Sequence, residues 1–180
     1  MVQRSLVVLV AWAFLVFDGS PVNALAGSRV NSGYSDSLVI DLAQRGIPTV
    51  VEGSLSGTTG EGLAERIRSM LRLPAYFASG RFVPGPREAG RGLRLVLIVN
   101  PDNPIQAGQR LCGETAGLAS GGNPGRFVLI GAFCRDGAIL SEVDIRESSV
   151  SGIDDPRFRR HLDQAMGLVF PNSLRVSPNL

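Results

Sequence analysis

One histidine, two cysteines and two carboxylates spaced i, i+2 are the side chains of this 180-residue sequence that invite a chemical reading. His161 is the sole histidine. A Ser-His-Asp arrangement needs an acid to orient the imidazole, and a zinc site needs several nitrogen, sulfur or oxygen ligands. The helical neighbours of His161 at three and four residues are Arg157, Phe158, Gln164 and Ala165, none of them acidic. A packing role at the margin of an apolar stripe is therefore expected. Glu142 and Asp144 share one side of a strand, about 6.6 Å apart by strand rise. That is close to the lower bound for an inverting glycosidase. Arg146 in the same row would keep Asp144 ionised rather than protonated, so the expectation is an ion pair on a wet sheet face. An alternative keeps catalysis open: a small hydrolase using a Ser or Thr of "GETAGLAS" (residues 113–120) with His161.

Cys112 and Cys134 are the two cysteines. Redox-active dithiols usually sit two residues apart at a helix N-terminus, where the thiolate is stabilised. These are far apart in sequence and fit a structural disulfide of an exported protein. Closing that loop is worth roughly 3 kcal/mol in the chain-entropy model. It would pin an otherwise loose Gly-rich segment.

The stretch "VEGSLSGTTGEGLAERIRSMLRLP" (residues 51–74) runs strand, glycine-rich turn, helix, the order found in phosphate-binding loops. A Walker loop needs a lysine reaching the phosphates. All 18 basic residues here are arginine, and Glu61 would repel a phosphate. Thr58 and Glu61 instead have capping-box spacing.

Two groups of arginines remain. Arg157, Arg159 and Arg160 crowd the start of the last helix, against the sense of its dipole. Arg81, Arg87, Arg91 and Arg94 fall in a Pro/Gly-rich loop. Together they give a second alternative, binding of an anion or lipid headgroup, with Arg157, Arg159 and Arg160 as the contact. The net charge of +2 points to no nucleic-acid partner.

The elements that position these residues follow from periodicity. "SLVIDLAQRG" reads equally as a strand or as a helix ending in a Gly cap. "IPTVVEGSL" is β-branched and reads as a strand. The next helix places Leu63, Ile67, Met70 and Leu71 on one face. Residues 79–93 and 101–125 read as long loops around "RLVLIVN", a strand apolar on both faces. "RFVLIGAFC" and "AILSEVDIRE" flank Asp136-Gly137, a strong hairpin signal. In the second of these strands Ile139, Val143 and Ile145 face the core. Leu140, Glu142, Asp144 and Arg146 face outward as a candidate partner-facing row. Asp155 caps and Pro156 begins a last helix buried along Phe158, Leu162, Met166 and Val169. The fold class expected is α+β: one mostly antiparallel sheet of four to five strands, with two helices packed on one face.

The N-terminus sets the compartment. Arg4, the twelve apolar residues "LVVLVAWAFLVF" and Ala24-Leu25-Ala26 have the pattern of a secretory signal peptide over residues 1–26. The apolar run is short of the about 20 residues of a membrane span. Residues 27–36 are polar and read as a mobile leader, and 37–180 as a single α+β domain. No cofactor, metal or transmembrane segment is expected in the mature chain. These readings converge on a bacterial cell-envelope protein, periplasmic or secreted, acting by binding or assembly, with another envelope protein as the partner.

Overall fold

The computed structural model describes residues 25–87, 92–119 and 126–173. The signal-peptide segment lies outside them except for Leu25 and Ala26. In place of two helices and four to five strands, the described residues form four helices and a seven-stranded mixed sheet. In chain order these are β1 (Leu25–Val30), α1 (Asp36–Arg45), β2 (Ile47–Leu55), β3 (Thr58–Thr59), α2 (Gly60–Met70), β4 (Phe82–Pro84), β5 (Leu93–Val99), α3 (Pro104–Arg110), β6 (Phe127–Arg135), β7 (Ala138–Glu147) and α4 (Pro156–Val169). The sheet order is β1-β7-β6-β5-β2-β3, and β4 pairs with β2 beside β3.

The sheet is mixed because α2 lies between β2 and β5 in the chain. A helical crossover returns the chain in the same direction, so β2 runs parallel to β5 and to β4. Where they meet, Gly53 has φ 126°, and a Cβ there would lie 2.0 Å from the Val99 carbonyl oxygen. No other residue fits. The hairpin between β6 and β7 follows its turn chemistry, with Asp136 and Gly137 both at positive φ, 50° and 84°.

Strand alternation divides the apolar residues between two faces. Val51, Leu97, Leu129, Val143 and Ile145 meet Val39 and Leu42 of α1, Leu63 and Ile67 of α2, and Phe158 and Leu162 of α4. Val50, Val96, Ile98, Val128 and Ile130 meet Ala107 of α3, Leu111, Cys112 and Leu118. Three helices therefore cover the first face and α3 the second, correcting the expected one-sided packing.

Four further expectations change. Residues 27–36 do not hang free: Gly27–Val30 belong to β1, which pairs antiparallel with β7 from Leu25↔Arg146 to Val30↔Ser141, and Asp36 opens α1. A cut after Ala26 thus falls inside a strand. The capping box does not form. Thr59, not Thr58, is the α2 N-cap, it makes no side-chain cap, and Glu61 pairs with Arg68 instead. The second long loop contains α3, whose N-cap Asn103 accepts from the Ile105 and Gln106 N–H groups. In β7, the register with β6 shifts so that Phe133 faces Ser141 while Cys134 faces Ile139. Leu140 is the extra residue, a β-bulge that reverses the alternation beyond it. Leu140 joins the first core and Ile139 packs against the second, the reverse of the sequence expectation.

Candidate functional site

Because β7 lies between β1 and β6, its backbone is paired on both sides and offers no open edge. The row Leu140, Glu142, Asp144 and Arg146, expected to face a partner, therefore has only side chains to present. Leu140 is buried. The side chains of Glu142, Asp144 and Arg146 instead line a groove of about 550 Å³ on the second face, between the β1–β7 ribbon and α3. Gly27, Ser28 and Arg29 form one wall, and Pro104, Ile105, Gly108 and Gln109 the other. Ile130 and Ile139 contribute apolar surface to its lining. Ile105 is 72% exposed, the most exposed large apolar side chain among the described residues.

The charges in this groove neutralise one another. Arg29 Nε lies 3.0 Å from Glu142 Oε1 across the β1–β7 pair. Arg146 grips both oxygens of Asp144, with Nε to Oδ1 at 3.0 Å and Nη2 to Oδ2 at 2.5 Å. The hydrogen bond to Asp144 raises the Arg146 guanidinium above its ordinary value. The ion pair expected from the row Asp144–Arg146 is formed, and both carboxylates have a cationic partner.

Beside the groove, Cys112 and Cys134 stand at disulfide distance, with sulfurs 2.00 Å and Cα atoms 5.6 Å apart. Arg94, counted among the loop arginines although it also opens "RLVLIVN", is a strand residue. It lies in β5 directly across from Cys134 and is only 3% exposed. Its guanidinium donates to the carbonyls of Pro86, Cys112 and Gly113. Burial pulls this guanidinium below its usual value. The side chain acts as a clamp tying both long connections to the sheet. Arg87 is also engaged, 3.2 Å from Glu52 and 3.7 Å from Glu61. Burial raises the Glu52 carboxyl above its ordinary value, against the opposing pull of Arg87. Arg91 lies outside the described residues.

His161 sits on the other face. It is 3% exposed, stacked on Phe127 with ring centroids 5.5 Å apart, as a packing residue. Its Nε2 lies 3.4 Å from Glu147 Oε2 without forming a hydrogen bond. The acid absent from its own helix comes from the end of β7. The sequence held a signal for this, since Glu147 continues the inward odd-numbered row of Val143 and Ile145. Thr115 is buried in the loop that packs under the second face, so the sheet stands between it and His161. Ser120 lies outside the described residues.

Asp155 caps α4 by accepting from Arg157 N–H at 2.8 Å and also receives Ser151 N–H at 2.9 Å. The Arg157 guanidinium first, then these backbone donors, hold its carboxyl well below the usual range. Arg157 is thereby committed, and Arg159 lies 3.4 Å from Asp163. Arg160 is exposed and forms no ion pair among the described residues. The three arginines thus do not converge on one vacant anion site. No helix of the described residues is long and apolar enough to cross a membrane. In comparisons with known proteins, the chain matches no family model, no curated protein and no solved structure.

Proposed function

We propose that this chain is an exported cell-envelope protein that holds a partner, and that the partner seats in the groove between the β1–β7 ribbon and α3. The observation that carries this reading is the groove itself: an open concavity of about 550 Å³ rimmed by the 72%-exposed Ile105. A concavity that joins apolar lining, Ile105, Ile130 and Ile139, to a few polar groups has the usual make-up of a binding site. The pair at Cys112–Cys134 supports an oxidising compartment. The signal-peptide pattern at the N-terminus supports export.

A photocrosslinking residue placed at Ile105 in the native host tests the surface, with Ile40, 44% exposed on α1, as the control. A discrete adduct from position 105 and none from position 40 is expected. Equal labelling at both would overturn the assignment of the surface. Fractionation tests the compartment: protein confined to the cytosol with both thiols alkylatable would overturn export.

A further inference from the structure

Resting on the reading that the groove holds a partner, we infer that the outer edge of β1 is a strand-addition site for an extended, uncharged peptide segment of that partner, with alternate side chains entering the groove. The phase of the β1–β7 ladder identifies the groups involved. Asn31 N–H donates to the Leu140 carbonyl at 2.8 Å. Antiparallel strands alternate between residues bonded to one neighbour and residues facing the other side. In the register Leu25↔Arg146 to Val30↔Ser141, odd-numbered β1 residues therefore bond to β7. Ser28 and Val30, which a cut behind Ala26 leaves in place, direct their N–H and C=O groups away from it. Among the described residues no strand lies there.

A row of outward donors and acceptors is complementary to another extended backbone. The two edges of the sheet differ in how they treat that hazard. On the far side β2 is flanked by the two-residue β3 and by β4, which ends in Pro84. Proline and short strands are the usual ways of blocking addition. β1 keeps Gly27–Val30 after a cut behind Ala26, has no proline and carries one charge, which Glu142 holds. Groove and edge adjoin, because Gly27, Ser28 and Arg29 belong to both. A peptide paired to β1 would extend the sheet, and its alternate side chains would project on the groove side. The electroneutral wall, Arg29 with Glu142 and Arg146 with Asp144, favours an uncharged segment over an acidic or basic one.

The probe is a displayed library of random peptides panned on the full chain, with enriched peptides measured by fluorescence polarisation. Uncharged, β-branched or aromatic sequences are expected to enrich. Ser28→Pro removes one outward N–H while leaving the β7 ladder, which the odd-numbered residues carry. It should weaken binding about five- to tenfold, the value of roughly one lost hydrogen bond. Ser28→Ala, which keeps the backbone donor, should bind like wild type. If Ile105→Asp abolishes binding while Ser28→Pro does not, strand addition is wrong and the groove reading stands. If neither variant affects binding, both are wrong. Failure to enrich any peptide, or a wild-type homodimer that Ser28→Pro converts to monomer, overturns the inference.

Discussion

On one face of the sheet, α1, α2 and α4 lay long apolar side chains against the strands, and Phe127, Phe133, Phe158 and Phe170 are all fully buried there. On the other, a seven-residue helix and a loop cover Val50, Val96 and Ile98 without one buried aromatic ring. The second layer is fastened by other means: a pair of sulfurs and a guanidinium bound to three carbonyls. Apolar area is cheap to recruit on long amphipathic helices. A thin layer of loop needs directional bonds instead. The groove lies on the thinly covered face, where the proposed partner would find the room that helices occupy on the other.

The comparison can be broken most severely from the helical side. Phe158→Ala leaves a cavity where Phe158 packs edge-on to Phe127 at 5.7 Å, and should cost about 3–5 kcal/mol in urea unfolding. Replacing both Cys112 and Cys134 by Ser should cost about 3 kcal/mol, through the lost constraint on the unfolded chain. The helical face should keep its hydrogen-exchange protection in that variant. Arg94→Met leaves buried carbonyls without their donor and should cost about 2–3 kcal/mol. Hydrogen exchange should then rise around residues 111–118 and 85–87 rather than in α4. The smallest effect is at the α4 cap, where Asp155→Ala should cost about 1–2 kcal/mol.

That last effect has a pH signature. Because the folded-state carboxyl of Asp155 is depressed, its contribution is complete above the ordinary carboxylate pKa of about 3.9. It is lost as pH falls through the depressed folded value. The stability gap between wild type and Asp155→Asn should be constant near neutrality and narrow only in strong acid. A gap that closes already by pH 5 would show that the cap is not what holds this carboxylate ionised.

What could be read from the sequence tracks how local its cause is. The Asp136-Gly137 turn, the Asp155-Pro156 helix start and the stripe from Phe158 to Val169 are each set by residues a few positions apart, and each is formed. Helix α3 carried a signal too, Asn103-Pro104 as cap and first residue, which in a Gly/Pro-rich setting reads as loop punctuation. β1 was illegible because "LAGSRV" has neither alternation nor β-branched enrichment; its conformation is supplied by the ladder with β7. The bulge at Leu140 depends on register across two strands, which no single strand encodes. In the candidate site, the row Glu142, Asp144 and Arg146 was visible, whereas α3 as the opposite wall required the tertiary fold. The Arg94 clamp was not visible because it depends on carbonyls from two distant segments.

The Arg94 clamp and the sulfur pair converge on one residue, Cys112: its side chain is tied to Cys134, and its carbonyl is held from the neighbouring strand. These tethers respond to different conditions. A reductant can open one, while an arginine keeps its charge at every pH where proteins fold. The segment after α3 should therefore keep its place before oxidation is complete, so that the sulfurs meet already aligned and the bond records a geometry set by charge.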